Sequence, residues 1–277
     1  MAEIATICTW LGPRFQGPAR RVVSLVPSLT YAVYELGAGG ALVGRTRYCI
    51  RPAESLERVE SVGGTKNPNV ERVVALAPDV VLANREENTR RRIERIAEHV
   101  PVLVTEPRSP RDVPGLWREL GAACGREAAS DRLAREVELE LARAESPAPR
   151  RAPGFVYWIW RDPWMAAGHD TYISELMTIA GWRNALPPDH TRYPKVDPVN
   201  VAELGARTML FSSEPYHFEL PRDLEPFPWR ARFENGRWRL GDGLIALEVD
   251  GQLFSWYPSL TAEGLRAAGR LRARVAG

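Results

Sequence analysis

Cysteine is scarce: the 277 residues hold only Cys8, Cys49 and Cys124. An odd count without regular spacing argues against a disulfide framework and fits a reducing compartment. Histidine is limited to His99, His169, His190 and His217. No two of them stand at HxH, HxxxH or HExxH spacing, which argues against a zinc hydrolase. There is no GxSxG nucleophile elbow and no P-loop. Gly37-Ala38-Gly39-Gly40 follows a helical pattern instead of opening one, so it is no dinucleotide fingerprint. Charge of one sign is lacking too, since 37 Lys+Arg against 35 Asp+Glu leave a net +2. That balance gives no basis for nucleic-acid binding. Arg90-Arg91-Arg92, with Glu94 and Glu98, reads as a solvated helix face. No stretch approaches the roughly 18 apolar residues of a membrane span. The first residues, Met1-Ala2-Glu3-Ile4-Ala5-Thr6, show neither the basic region nor the apolar core of a signal peptide. Cys8 lacks the apolar lead of a lipoprotein signal. The expected location is therefore cytoplasmic, or periplasmic or extracellular if a leader precedes these residues.

What is present is a soluble, globular composition, 44% hydrophobic and 26% charged, and a layout that occurs twice. The first copy runs from Arg21 to Gly125. Val22 to Val26 reads as a buried strand ended by Pro27, with Ser28 capping a helix that Gly37 stops. Leu42-Val43-Gly44 reads as a strand, and the Gly- and Pro-rich segment 45–69 as loop. Helices follow at 70–77, 89–99 and 113–124, with strands at 79–83 and 102–104. Such alternation implies parallel βαβ units.

From Arg126 to Ala144 there is no Gly or Pro, and Leu133, Val137 and Leu141 recur at helical spacing. The second copy starts at Gly154 with the apolar run 155–160. Helices are expected at 172–180, 199–204 and 261–275, and strands at 208–212 and 244–249, while 219–240 fits no regular pattern. The predicted fold is α/β: two Rossmann-like lobes with mainly parallel sheets, joined by a long rigid helix, with a ligand cleft between them. The boundaries are 1–20 for an N-terminal extension, 21–125 for the first lobe, 126–147 for the connecting helix and 148–277 for the second lobe.

Aromatic residues crowd the second half: Tyr157, Trp158, Trp160, Trp164, Trp182, Tyr193, Tyr216, Trp256 and Tyr257. Core packing accounts for those inside strands. Trp164 and Tyr193 sit beside prolines, and Trp256 precedes Tyr257-Pro258, in expected loops, where rings contact ligands as readily as they pack. Cys49 has no activating neighbour in sequence and reads as a small, partly buried residue. His169, His190 and Glu214 could together hold a metal for an enzyme using the same cleft.

The segments 21–30, 43–49, 62–72, 77–84, 168–173, 180–184 and 254–257 resemble, in order and spacing, the helical-backbone metal receptors. This is the class III periplasmic-binding-protein-like superfamily of cobalamin, haem and siderophore receptors, and the likeness is to its cobalamin-binding branch. The resemblance implies non-catalytic binding of cobalamin, another corrinoid or a similar metal chelate, with no catalytic residue and no metal site in the protein itself. By position, one wall is Pro27, Ser28 and Tyr48 with Cys49 beside it. Thr65, next to Lys66, and Asn84 stand where cobalamin binders carry aromatic residues. The other wall is Trp164, Gly168 with His169, Tyr193, Ser255 and Trp256. Importer-linked relatives dock on an ABC permease through one acidic residue per lobe. Glu71 matches the first, and the second falls at Val199, with Glu203 one helical turn away.

Overall fold

The computed structural model describes residues 7–145, 152–188, 191–241 and 243–276. The described residues form two compact units. The first takes the chain up to Pro107, Arg111–Glu138 and Trp256–Ser259; the second takes Arg108–Pro110, Leu139–Ser255 and the chain from Leu260. Both are α/β with largely parallel sheets, as the sequence pattern predicts.

The first unit holds a six-stranded sheet. Its strands are β1 (Cys8–Leu11), β2 (Val22–Ser24), β3 (Leu42–Arg45), β4 (Glu60–Ser61), β5 (Val80–Asn84) and β6 (Val102–Thr105). They lie in the order β1-β6-β5-β2-β3-β4. β2 pairs in parallel with both β3 and β5, as a strand buried on both faces should. Only β1 runs antiparallel, against β6, so part of the expected N-terminal extension is a sheet edge. The helices are α1 (Pro27–Glu35), α2 (Ala53–Leu56), α3 (Val70–Ala75), α4 (Arg90–Ala97), α5 (Val113–Cys124) and α6 (Glu127–Ala144). Val23, Val62, Val73, Val81, Ile93, Ile96 and Val102 make a core cluster of aliphatic side chains. Short β-branched residues suit it, because they fill the groove between a pleated surface and a helix.

Two local expectations change here. Pro27 is the first residue of α1 instead of the end of the strand, and no side chain caps that helix; Ser28 lies inside it. Proline suits this position because its missing N–H would be unpaired there anyway. The segment 45–69 is not wholly loop: it contains α2 and β4. Both are too short for periodicity to register. In α6 the buried stripe is Ala134, Val137 and Leu141, one position off the expected Leu133 start.

The second unit is built on β7 (Gly154–Trp160), β8 (Met165–Ala166), β9 (Arg183–Asn184), β10 (Thr208–Ser212), β11 (Ala231–Glu234), β12 (Arg237–Leu240) and β13 (Leu244–Val249). β10 is central and pairs in parallel with β7 and β13. The helices are α7 (Tyr172–Ile179), α8 (Gly251–Ser255) and α9 (Thr261–Ala276). The helix expected at 199–204 reduces to a 3-10 turn at Pro198–Asn200. Asp197 caps that turn and Val201 is the residue that anchors it in the core. The segment without a regular pattern resolves into the hairpin β11–β12, which extends the sheet antiparallel beyond β13.

Between β10 and that hairpin no α-helix covers the sheet. Aromatic rings cover it instead. Phe211 lies 5.4 Å from Phe218, 5.9 Å from Phe227 and 6.4 Å from both Trp158 and Trp164. Edge-on geometry dominates, as ring quadrupoles favour. In the same segment, Asp223 is fully buried and accepts from Arg161, Arg222 and the Glu219 amide. Burial pushes its carboxyl up, but these donors outweigh it and hold the group below the ordinary Asp value.

Candidate functional site

In the first unit, the segments following β2, β3, β4 and β5 gather at the carboxyl ends of the parallel strands, where open α/β sheets place their ligands. Arg47 donates its amide to the Gly63 carbonyl at 2.8 Å, tying the β3 loop to the β4 loop. A Cβ on Gly64 would lie 3.4 Å from the Tyr48 ring, so Tyr48 sits against the Gly64-Thr65-Lys66 turn. That ring is 56% exposed. Asn88 is the staple of the region: its side-chain amide donates to the Thr65 and Leu25 carbonyls at 2.9 and 3.2 Å. Thr89 Oγ1 donates to the Lys66 carbonyl at 2.6 Å. Lys66 Nζ donates to the Glu86 carbonyl.

Three of the sequence-predicted residues here are committed to the protein itself. Ser28 is buried. Cys49 is 2% exposed, its thiol 3.0 Å from Thr30 Oγ1 and 3.2 Å from Thr46 Oγ1. Burial raises its pKa, with the two threonines and Arg45 opposing, so it stays a protonated thiol at neutral pH. Asn84 is equally buried. Its amide donates to Thr105 and, at 3.3 Å, to the Tyr257 hydroxyl, while its oxygen accepts from the Glu86 and Glu87 amides. The tight turn after β5 requires that polar fork, which no aromatic side chain provides. Pro27 is half-buried at the start of α1.

Trp256 and Tyr257, expected in the second lobe, group with the first unit. Trp256 is 8% exposed, and Arg51 Cζ stands 5.7 Å from its ring centroid. Sequence reading missed Arg51 and Asn88. Neither belongs to a recognisable motif, and only the loop geometry shows their role.

In the second unit, the segments after β7 and β10 carry the exposed ring of Trp160, edge-on to Tyr216 at 5.9 Å. Trp164 is half-buried and stacks on Phe218 at 5.6 Å, with Arg161 Cζ 5.7 Å from its ring centroid. Its ring is thus largely part of the aromatic core. Gly168 is a close-packing glycine: a Cβ there would meet the Thr191 carbonyl at 2.7 Å and the Arg192 carbonyl at 3.0 Å. The Gly168 amide donates to the same Arg192 carbonyl, which holds the segment bearing Tyr193 in place. His169 bonds the Leu186 carbonyl at 2.6 Å. Ser255 Oγ donates to the Gly251 carbonyl and to Glu214 Oε1. His190 lies outside the described residues, and no cluster of three metal-ligating His, Cys, Asp or Glu occurs among the described ones.

Glu71 is on the first turn of α3, 71% exposed and 3.0 Å from Arg95. Its own backbone amide and the Arg95 charge lower its pKa, so it is ionised. Val199 is 45% exposed, and Glu203 is exposed as well. No helix among the described residues is long and apolar enough to cross a membrane.

Comparison with known proteins bears on all of this. A vitamin B12-binding protein of Pectobacterium carotovorum is 24% identical over 200 residues, covering 71% of this chain and 72% of its own length. One from Pectobacterium atrosepticum is 27% identical over 64% of this chain and 66% of its own. Among solved structures, the periplasmic vitamin B12-binding protein of Vibrio cholerae superposes with a TM-score of 0.77 at 17% identity, covering 94% of this chain and 98% of that one. A periplasmic haem-binding protein of Pseudomonas aeruginosa gives 0.73 at 20% identity, over 92% of each chain. These likenesses confirm the two-lobed α/β fold. The expected cytoplasmic location, drawn from the scarce cysteines and the first residues of the chain, finds no support in these neighbours, which are named periplasmic. The family model described as periplasmic binding protein matches residues 22–221, and with that span the chain belongs to the periplasmic binding protein family.

Proposed function

We propose that the protein is a non-catalytic receptor for a metal chelate, a corrinoid or a similar ring ligand such as haem. In this reading it is the substrate-binding component of an ABC importer, working outside the cytoplasmic membrane. The observation that carries it is the alignment with curated vitamin B12-binding proteins over as much as 71% of the chain. The exposed ring of Tyr48 at the strand ends of the first unit supports it, as does the Trp160–Tyr216 pair at those of the second. Exposed rings offer flat apolar contact for a planar ligand. Tyr48, Pro27, Thr65 and Lys66 are the proposed contacts of the first unit, together with Trp256. Tyr193, His169, Ser255 and the half-buried Trp164 are those of the second. Glu71 is the proposed permease-docking carboxylate, with Glu203 as its counterpart.

Titration with cyanocobalamin, dicyanocobinamide and haemin, read by tryptophan fluorescence and the visible spectrum, tests the proposal. At least one of the three should give a saturable change, with the protein recovered from the extracytoplasmic fraction of its source. Three flat titrations remove the reading. Stoichiometric zinc or iron in the purified protein without an organic chelate favours the metal-enzyme reading instead.

A further inference from the structure

Several arginines on this protein are held in ion pairs. Arg85 meets Glu106 at 2.7 Å, Arg95 meets Glu71 at 3.0 Å, and Arg118 meets both Asp131 and Glu138. In the loop after β3 two arginines are placed differently. Arg47 and Arg51 form no ion pair among the described residues, and each lies over an aromatic ring instead. Arg47 Cζ is 5.9 Å from the Tyr48 centroid, and Arg51 Cζ is 5.7 Å from that of Trp256. Arg45, two residues before Arg47, shows the contrast: its guanidinium donates to the Leu56 and Thr46 carbonyls and holds the loop together. A guanidinium lying over a ring is oriented by it, while its N–H fork stays available for a planar anion. Lys66 adds a third cation on the adjoining turn, tethered to the Glu86 carbonyl and facing the Glu87 carboxylate. Its charge is therefore partly answered, whereas those of Arg47 and Arg51 are not.

We infer that the ligand of this face is anionic: a metal chelate with carboxylates on its rim, received by Arg47 and Arg51, and not a corrinoid whose rim is all neutral amide. The inference rests on the chelate-receptor reading above and names its substrate class. Bidentate guanidinium–carboxylate bonds are strong and geometrically selective. They are weakened by salt when part-exposed.

The test pairs each acid with its neutral ester: haemin against haemin dimethyl ester, and dicyanocobyrinic acid against its heptamethyl ester. Cyanocobalamin serves as the amide reference. The acid of one macrocycle should bind at least about tenfold tighter than its ester. That advantage should shrink as NaCl rises from about 0.05 to 0.5 M. The variant Arg47→Gln/Arg51→Gln should bind acid and ester alike, with its thermal melt unchanged and the ester affinity kept. Arg47→Lys/Arg51→Lys should recover part of the preference. The macrocycle that shows the effect tells porphyrin from corrin. Esters or cyanocobalamin binding as tightly as the acids overturn the inference and leave the receptor reading standing. Absence of binding by all five probes overturns both.

Discussion

The two units bury their sheets by different means. In the first, valines from short strands meet valines from α3 and isoleucines from α4, and the cluster contains no aromatic ring. In the second, the chain between β10 and the β11–β12 hairpin forms no α-helix, and Trp158, Phe211, Phe218 and Phe227 fill the space a helix would occupy. A helix presents a stripe of small groups at regular spacing, so aliphatic residues suffice beneath it. An irregular segment offers no such stripe, and only large flat side chains close the gap. The difference teaches that the ring content of the second half is first of all a packing requirement. In the proposed reading, ligand contact falls mainly to the rings that remain exposed.

Core truncation should separate the units most widely. Phe211→Ala, which empties the centre of the ring cluster, should cost about 3–5 kcal/mol in urea denaturation. Ile96→Val, equally buried in the first unit, should cost about 1 kcal/mol. Equal costs would mean that the rings are loosely packed and free to serve a ligand.

Two carboxylates sharpen the contrast next, because their stabilities move oppositely with pH. Asp223 is held below its ordinary 3.8, so its contribution is full above that pH and fades as pH falls through the folded value. Asp223→Asn should cost about 2 kcal/mol at pH 7, and the deficit should close in acid. Glu35, in the first unit, is shifted the other way by burial, with Glu136 adding and Ser259 and Arg132 opposing; its Oε2 has no hydrogen-bond partner among the described residues. The folded protein therefore loses stability as pH rises above 4.5 through the raised value. Glu35→Gln should stabilise by about 1 kcal/mol at pH 8 and be neutral at pH 4. Parallel pH–stability curves for wild type and either variant would contradict the assignment.

Helix caps should give the smallest effect. Asn69 accepts from the Arg72 amide at 2.8 Å in the open, whereas Thr171 accepts from the Ser174 amide at 3.1 Å while 1% exposed. Asn69→Ala should cost about 0.5–1 kcal/mol and Thr171→Ala nearer 2, by thermal melting. A reversed order would show that the Thr171 hydroxyl matters little to its helix.

Where periodicity is long, the sequence reads cleanly. α4, α5, α6 and α9 lie within a residue or two of expectation, because each repeats its apolar stripe over several turns. β5 and β10 stand out as apolar runs bounded by prolines or polar residues. β1, α2 and the β11–β12 hairpin are harder to read. Four-residue patterns carry little signal, and sheet edges tolerate almost any residue. Of the candidate site, Tyr48, Thr65 and Lys66 do lie together. Cys49 and Asn84 are turned inward by hydrogen bonds to residues distant in sequence, which no local pattern announces. Trp256 groups with a unit more than a hundred residues earlier in the chain, a pairing set by tertiary contact alone.

That last placement decides how the gene can be cut. Because Trp256–Ser259 is counted with residues before Glu138, a fragment that stops at the end of α6 loses the phenol that accepts from Asn84 and the indole beneath Arg51. The amino-terminal half is not a module to be excised or swapped at a single junction. Any chimaera built from this scaffold must carry the four-residue return loop with it.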